Sequence, residues 1–195
     1  VQPFEVASYL PAGATDWAAA PPTRTERGIG RTLLDHADRA RALARYQDHG
    51  HTGFGWAYRR AIVARFGWYD GLVVGGNDIV MAHAIYDDGP FFEGRNYISR
   101  RLPPKAMAHA STWASFVRSE VQGNVGYTPG IAHHLWHGDA AGRRYVERLE
   151  ILRAADFDPA ADLRLNGDAC WTWGSDKPAL HRAVREYFAG RREDG

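Results

Sequence analysis

An acidic side chain follows two glycines in the stretch GGNDIVMAHA, residues 75–84. The glycines permit positive φ angles and a close approach of another backbone or ring, and Asp78 is expected at or beside a helix N-cap. One interpretation is a cap that binds a free backbone amide and stabilises the helix by about 1 kcal/mol. The other is a general base, since a carboxylate held at a helix start can accept a proton from a ligand hydroxyl. The sequence leaves both interpretations open.

Three histidines lie within five residues in GIAHHLWHGD, residues 130–139. His134 and His137 are three positions apart, so at a strand end or turn both imidazoles can face one ion. Imidazole is a common ligand of several transition metals but needs partner ligands. The alternative is a pair of surface histidines beside His133. The spacing therefore indicates a metal site without excluding a plain surface cluster.

A carboxylate pair, DFD at residues 156–158, could supply such partner ligands. The second aspartate is followed by Pro159, and an aspartate N-cap with proline at the first helical position is a common helix start. We therefore interpret Asp158 as a cap. The histidines are left without an obvious carboxylate nearby in the sequence.

Aromatic residues precede the Asp78 stretch at three positions, Trp56, Trp68 and Tyr69. Aromatic faces stack on the apolar side of sugar rings, so a carboxylate beside them is typical of a carbohydrate site. Core packing is the alternative explanation, since large aromatic side chains dominate the interiors of folded domains. The aromatics support a sugar site only together with other residues.

Strands and loops that could position these residues are short and broken by glycine. Extended segments are predicted at Val1–Ala7, Thr52–Tyr58 and Gly126–Trp136. The proline- and glycine-rich residues 11–30 predict a long surface loop. The order of elements favours an α/β domain, with α+β as the alternative, built on a small mixed sheet with several flanking helices.

Helices are predicted where apolar residues recur at three- and four-residue spacing. An amphipathic helix is expected over residues 31–47, and a short one at Arg59–Phe66 that ends at Gly67. Three further helices are centred on residues 107–117, on residues 145–152 and on the segment after Pro178. The helices are thus more frequent in the second half of the chain.

Composition limits the class of protein. The 195 residues are 45% hydrophobic and 12% aromatic, enough for one globular domain with a sizeable core. The net charge of +1 and the lack of a basic run disfavour a nucleic-acid partner. Cys170 is the single cysteine, so no internal disulfide can form, and no apolar run is long enough for a membrane span. We expect a cytoplasmic protein without a membrane span that acts on small molecules or neutral polymers.

Three stretches together resemble the acceptor half of a nucleotide-sugar glycosyltransferase of the GT-A fold. They are TGFGWAYRR at 52–60, FGWYDGLVVGGNDIVMAHAI at 66–85 and HHLWHG at 133–138. The chain looks most like β-1,4-galactosyltransferases and chondroitin-polymerising enzymes, in which a glycine-aromatic strand and helix precede a Gly-Gly-Glu-Asp motif. A His-x-x-His type segment follows there. The resemblance implies an acceptor-side region over residues 1–138, with residues 139–195 as a C-terminal helical extension packed on it.

The resemblance implies an inverting hexosyltransferase in which Asp78 is the general base. It would deprotonate the acceptor hydroxyl, whose oxygen then attacks the anomeric carbon of the sugar donor. Asn77 stands where the family usually has a glutamate that contacts the acceptor, so the resemblance does not imply the identity of the acceptor. The substrate-binding residues implied are Gly55, Trp56, Trp68, Tyr69, Gly75, Gly76 and Asn77.

The same resemblance implies a divalent cation, Mn or Mg, that binds the diphosphate of the nucleotide-sugar donor. His137 matches the metal-ligand histidine of the family, and His134 stands at the position of a possible additional ligand. Arg143 and Arg144 follow directly and could contact phosphate. Solvated arginines on a helix are the alternative for that pair.

One departure from the family concerns the donor site. The family has an Asp-x-Asp pair at the end of a nucleotide-binding half, before the acceptor half, whereas the only such pair here, at 156–158, follows the histidines. Val1–Ala7 looks like the strand that normally comes after the family's pair. We therefore expect this chain to be the C-terminal part of a longer transferase, truncated before the donor half and inactive alone.

Two other classes of function remain open. The first is a non-catalytic carbohydrate-binding or scaffold module, in which Asp78 only caps its helix and aromatic residues line a groove: Trp56, Trp68, Tyr69 and Trp136. The second is a metal-dependent hydrolase that uses His134 and His137 with a distant carboxylate. The chain has no compact His-Glu-x-x-His motif, which places the hydrolase third.

Overall fold

A three-stranded sheet forms one part of the molecule. The computed structural model describes residues 1–35, 39–45, 48–86, 88–138 and 140–191. Strands β1 (Val6–Tyr9), β2 (Arg24–Arg27) and β3 (Ile131–His134) lie in the order β2-β1-β3. The outer strands differ in direction, since β2 is antiparallel and β3 parallel to the central β1. The parallel pairing places Tyr9 opposite His134, so the carboxyl ends of β1 and β3 meet.

Helices form most of the remaining structure, which confirms the predicted mixed α/β class. The helices of the first half are α1 (Ile29–Asp35), α2 (Arg39–Ala44), α3 (Arg60–Phe66), α4 (Asn77–Ile85) and α5 (Gly89–Phe92). The later helices are α6 (Pro104–Val121), α7 (Ala140–Arg143), α8 (Glu147–Ala154), α9 (Pro159–Asp162) and α10 (Pro178–Ala189). A 3₁₀ turn at Ser99–Arg101 leads into α6. In the described residues no helix combines the length and apolarity needed to cross a membrane.

The main core lies between α4, α6, α8 and α10. It contains large side chains with almost no solvent exposure, among them Phe91, Leu149, Leu152, Phe157 and Tyr187. Burying side chains of this size contributes roughly 1.5–3 kcal/mol each. Because the core takes residues from both sides of position 138, the C-terminal helices pack directly on the preceding region.

A second, two-stranded sheet lies within the C-terminal region. Strands β4 (Leu163–Leu165) and β5 (Trp171–Trp173) pair in antiparallel register. They are joined by a turn in which the Asn166 side chain accepts hydrogen bonds from the backbone amides of Asp168 and Cys170, both at 2.9 Å. The region after residue 138 is therefore not the purely helical region that the sequence predicts. The sequence did not indicate these strands, because three residues are too few to show a clear apolar alternation.

One predicted strand and one predicted loop differ from the structure. Thr52–Tyr58 is irregular, because Phe54 adopts a positive φ of 69° and interrupts the extended backbone. The predicted loop over residues 11–30 contains β2, whose side chains are mainly exposed and show no apolar alternation. Three predicted helices are confirmed as α3, α6 and α10, and α3 ends at Gly67 with a φ of 67° as expected. The helix predicted over residues 31–47 corresponds to α1 and α2, and its residues 36–38, 46 and 47 lie outside the described residues.

Candidate functional site

Asp78 is the second residue of α4 and does not act as its cap. The N-cap is Gly76, at a φ of 98°, and among the described residues no side chain forms a cap bond there. The Asp78 carboxylate instead accepts a 3.0 Å hydrogen bond from the Thr52 hydroxyl of a separate segment. It stays partly exposed to solvent. The structure thus favours the alternative in which this carboxylate is held for a purpose other than closing its own helix.

His51 lies beside Asp78, and Gly53 separates them. A Cβ placed on Gly53 would be 3.1 Å from Asp78 Oδ2 and 3.1 Å from His51 Cε1, so only glycine leaves both side chains undisturbed. The Gly53 amide donates a 3.0 Å hydrogen bond to His51 Nδ1. Burial lowers the pKa of His51, and the negative charges of Glu26 and Asp78 oppose that shift only in part. A neutral imidazole with its Nδ1 accepting and its Nε2 carrying the proton therefore lies next to the carboxylate.

Phe54 connects this pair to the end of β3. Its ring centre is 4.1 Å from that of His51 and 5.0 Å from that of His134, on which it stacks at 21°. Tyr9 packs on the same group at the end of β1, with its ring centre 5.0 Å from that of His134. Burial and the charge of Glu26 raise the pKa of Tyr9 to about 12, so its hydroxyl keeps its proton at neutral pH.

The histidine pair is a real feature of the structure. His134 Nε2 and His137 Nε2 are 3.0 Å apart, and the Arg143 guanidinium contacts the His137 ring, with Nη2 2.6 Å from Nδ1. Burial lowers the pKa of His134, and the charges of His137 and Arg143 lower it further. The Nε2 atoms of the two imidazoles thus face each other at the carboxyl end of the parallel strands. His133, on the same strand, packs instead against Trp17 with ring centres 5.2 Å apart.

The pair fits part of a metal site. Two nitrogens at right angles on one cation with bonds of about 2.1 Å are about 3 Å apart, close to the 3.0 Å separation here. Neutral imidazoles are the form that ligates metals, and the lowered pKa of His134 favours it. In the part of the chain that the structure describes, no group of three or more His, Cys, Asp or Glu side chains has a metal-binding arrangement. The described residues would therefore supply two ligands of such a site.

We name the group Asp78, His51, Phe54, His134 and His137 the site face. It joins the predicted base to the predicted metal ligands through two side chains in contact. No protein-family model, curated protein or solved structure matches the chain. The site face must therefore be interpreted from its own geometry.

The predicted aromatic positions do not join the site face. Tyr69 was predicted to bind substrate, but it is only 3% exposed and packs in the main core beside Trp113, which leaves little of its ring accessible. Trp56 donates its indole N–H to the Thr52 carbonyl at 2.8 Å and packs between core clusters. Trp68 is 47% exposed and lies edge-on to Tyr58. A groove lined by all of the proposed aromatic residues is thus not formed, because Tyr69 is inside the protein.

The glycines of the Asp78 motif have the expected positive φ angles, but the Arg148 side chain of the same chain occupies the space beside them. Gly75 and Gly76 have φ angles of 92° and 98°. A Cβ on Gly75 would lie 2.9 Å from Arg148 Nη1, so the group that approaches closely is this chain's own guanidinium. The Asn77 amide exchanges two hydrogen bonds with the backbone of Leu72, at 2.9 and 3.0 Å. Its side chain therefore closes the Leu72–Asn77 turn, which leaves it little capacity to bind an acceptor.

The remaining predicted residues divide between the site face and other surfaces. Arg143 contacts His137, whereas Arg144 is exposed and lies over the Tyr187 ring, 5.4 Å from its centre. Gly55 lies against Pro3, where a Cβ would be 3.4 Å from the proline ring. Of the two arginines, Arg143 is the one placed beside the histidine pair.

Sequence reasoning did not identify His51, Thr52 and Phe54 as site residues. The sequence predicts a strand over Thr52–Tyr58, in which alternate side chains would point to opposite faces. The two glycines that flank Phe54 were the available signal, since glycine inside a short apolar segment often marks an irregular backbone or a close approach. The positive φ of Phe54 then turns its ring toward the histidines.

A large cleft lies elsewhere in the described part of the chain. It has a volume of about 800 Å³ and is lined from α3, α6 and α9, with Phe66, Trp113 and Phe116 among its walls. None of the site-face residues lines it. Its lining includes Lys105, His109 and Asp158, but Asp158 caps α9, and we base the function on the site face.

Proposed function

We propose that this chain is the acceptor-side part of an inverting nucleotide-sugar glycosyltransferase. The observation that carries the proposal is the placement of Asp78, free of its helix cap, in one contact group with the His134–His137 pair. A transferase of this class needs a base for the acceptor and a centre for the donor diphosphate on the same side of the molecule. The resemblance of the Asp78 and His137 motifs to glycosyltransferases supports the same assignment.

In this proposal Asp78 accepts the proton of the acceptor hydroxyl. Its carboxylate is fixed by the Thr52 hydroxyl at 3.0 Å and remains accessible, as a general base must be. The neighbouring His51 would orient the acceptor through its Nε2–H.

His134 and His137 would hold a divalent cation, Mn or Mg, together with ligands from the donor diphosphate and from carboxylates outside the described residues. Such a cation neutralises the charge that develops on the leaving nucleotide diphosphate. Arg143, in contact with His137, would bind a phosphate oxygen through its guanidinium. The partners are thus a nucleotide-sugar donor and a carbohydrate acceptor, and we place the protein in the cytoplasm.

The base assignment can be tested by sugar transfer. The chain, joined to any residues that its gene encodes before Val1, is assayed with a panel of nucleotide sugars, Mn and oligosaccharide acceptors. Replacing a general base lowers the rate roughly 100- to 10,000-fold, so we expect that loss for Asp78→Asn. Asp70→Asn is the matched control, since Asp70 accepts a hydrogen bond from Trp171 at 2.7 Å, outside the site face. Transfer by Asp78→Asn at the wild-type rate would reject the assignment.

The metal assignment can be tested on this chain by itself. Electron paramagnetic resonance reports free Mn²⁺, and nucleotide diphosphate is titrated in with the ion. We expect His137→Ala to weaken Mn binding at least tenfold, whereas His133→Ala, on the same strand but packed on Trp17, should leave it unchanged. Equal Mn binding by wild type and His137→Ala would remove the histidine pair from the donor site.

A carbohydrate-binding module without catalysis is the second candidate. Two large aromatic faces favour it, since Trp68 is 47% and Trp136 is 42% exposed. Oligosaccharide binding by the chain, lost in Trp136→Ala and retained in Asp78→Asn, together with no transfer by the joined protein, would select this function over the transferase.

A further inference from the structure

Arg148, on α8, is a buried cation with few polar contacts. The residue is 8% exposed, and its Nε is buried without a hydrogen-bond partner. Nη1 makes one long hydrogen bond, 3.5 Å, to the Tyr187 hydroxyl, and Cζ lies 4.9 Å from the Tyr145 ring centre. Among the described residues no carboxylate pairs with it within 4.0 Å. Buried charges in proteins are almost always paired, so this guanidinium lacks the anion that usually accompanies one.

The start of α4 lies directly against this guanidinium. A Cβ on Gly75 would be 2.9 Å from Arg148 Nη1, and one on Gly76 would be 3.9 Å from Nη2. The first backbone bond of the helix runs from the Val80 amide to the Gly76 carbonyl at 3.3 Å. The amides before Val80 therefore have no helical acceptor and give this end a partial positive charge. Two positive groups therefore lie close together here.

A cavity of about 170 Å³ lies beside these groups, and Arg148 and Gly76 are part of its wall. The rest of the wall is aliphatic, with Leu72, Ile79, Val80, Ile98, Leu102, Val146 and Leu149. Tyr145 also lines it and is 42% exposed, which gives the cavity access to solvent beside that ring. The cavity thus combines a cationic end with an apolar body.

We propose that this cavity binds a short aliphatic carboxylate, with its head on Arg148 and the start of α4 and its chain among the aliphatic residues. The guanidinium and the free amides at the start of α4 are both hydrogen-bond donors that bind anionic groups such as a carboxylate. The volume is close to that of cavities of about 150 Å³ that take up benzene, so a chain of about six carbons fits. Inorganic phosphate would satisfy the charge but leave the apolar wall uncovered.

This site is separate from the proposed transferase function. Arg148 does not belong to the site face, and its ligand needs neither a metal nor a nucleotide. Gly76 connects the two sites, since it lines the cavity and precedes α4, which carries Asp78. Because hexanoate binding can be measured without sugar transfer, failure of one proposal leaves the other unaffected.

Calorimetric titration of the chain with hexanoate at neutral pH tests the proposal. We expect saturable binding by the wild type, at least tenfold weaker binding of both hexanamide and acetate, and at least a tenfold loss for Arg148→Met. Arg153→Met is the matched control, since Arg153 is an exposed arginine of the same helix. Its affinity for hexanoate should stay within twofold of the wild type.

A second variant keeps the test valid if Arg148→Met does not fold. Ile98→Phe fills the apolar end of the cavity and leaves the guanidinium in place, so it should also weaken hexanoate binding at least tenfold. Circular dichroism and thermal unfolding check each variant for its fold. No saturable hexanoate binding by the wild type, equal binding of hexanamide or acetate, or undiminished binding by folded Ile98→Phe would overturn the proposal.

Discussion

The site face and the main core use the same residue types in opposite ways. In the core Phe157 is completely buried, and next to it, outside the core, Asp158 caps α9 by accepting a 3.0 Å bond from the Ala160 amide. In the site face, Phe54 is 44% exposed and Asp78 binds a hydroxyl from another segment. The core residues are thus held by packing and local backbone bonds. The site-face residues lie on α4, on β3 and in irregular segments, and they are held by contacts between these segments.

This difference indicates where a substitution should affect stability and where it should affect function. A core side chain contributes through the apolar area it buries, whereas a half-exposed side chain with one polar contact contributes little to folding. Residues kept in exposed, weakly stabilising positions are the ones that a ligand can reach. Matched substitutions in the two regions can test this interpretation.

The largest expected effect separates two phenylalanines. Phe157→Ala should lower the free energy of unfolding by about 3–5 kcal/mol, because it leaves a cavity in the core. Phe54→Ala should lower it by less than about 1 kcal/mol, since the ring is already 44% exposed. Urea unfolding followed by circular dichroism measures both values. Equal losses would mean that the site face is part of the core and not a separate surface.

The next effect concerns acid pH. Burial and the neighbouring His83 lower the pKa of His49 to about 4 from an ordinary value of 6.5. Because the folded protein disfavours protonated His49, neutral His49 contributes to the free energy of unfolding. This contribution is complete above pH 6.5 and is lost progressively as the pH falls to about 4. The pKa difference corresponds to about 3 kcal/mol. His49→Gln should remove that part of the pH dependence.

Urea unfolding at several pH values between 4 and 7 checks this prediction, with the wild type as the control at each pH. The wild-type curve should be steeper than that of His49→Gln. Parallel curves for the two proteins would show that His49 does not titrate as a buried group.

A pair of glycines gives a smaller effect. Gly75→Ala should lower the free energy of unfolding by about 2 kcal/mol, because the φ of 92° disfavours a side chain and the new Cβ meets Arg148. Gly53→Ala should change it by less than about 1 kcal/mol, but its Cβ presses on Asp78 and His51 at 3.1 Å. A displacement of a few tenths of an ångström at these groups should slow sugar transfer on the order of tenfold.

Thermal unfolding and the transfer assay of the joined protein measure the two outcomes. Gly13→Ala is the control for the backbone effect alone, since Gly13 has a φ of 74° and nothing within 4 Å of its Cβ position. If Gly13→Ala and Gly75→Ala lose equal stability, the contact with Arg148 contributes nothing.

The sequence predicted the long elements and missed the short ones. The helix α6 was evident because its apolar residues repeat at helical spacing over 18 residues. The strands of the site face have four residues each, and the sheet brings β1 and β3 together across more than a hundred positions of sequence. Such pairing depends on tertiary packing, which a local pattern does not contain.

The candidate site was predicted in part for the same reason. The His134–His137 spacing is local, and the structure places both Nε2 atoms 3.0 Å apart. His51 reaches Asp78 only through the turn at Gly53, and Tyr69 enters the core through packing with α6. Both outcomes depend on contacts between distant segments. Motif spacing identified the residues with reactive groups, but not which of them would meet.

The smallest expected effect tests the two aspartates at their helix starts. Asp158→Ala should lower the free energy of unfolding by about 1 kcal/mol, because the Ala160 amide loses its acceptor. Asp158→Asn should cost less than about 0.3 kcal/mol, since asparagine caps helices as well as aspartate does. Asp78→Asn should also change stability by only a few tenths of a kcal/mol, consistent with a helix-dipole contribution alone, while it abolishes most of the sugar transfer.

Urea unfolding resolves these differences when the variants are measured side by side. A loss for Asp158→Asn as large as that for Asp158→Ala would mean that the negative charge of Asp158 matters and not its hydrogen bond. The carboxylate would then have to be considered again as a ligand, and the contrast with Asp78 would no longer hold. If only the alanine variant is destabilised, capping explains Asp158 fully, and Asp78 remains the aspartate whose charge has a role outside folding.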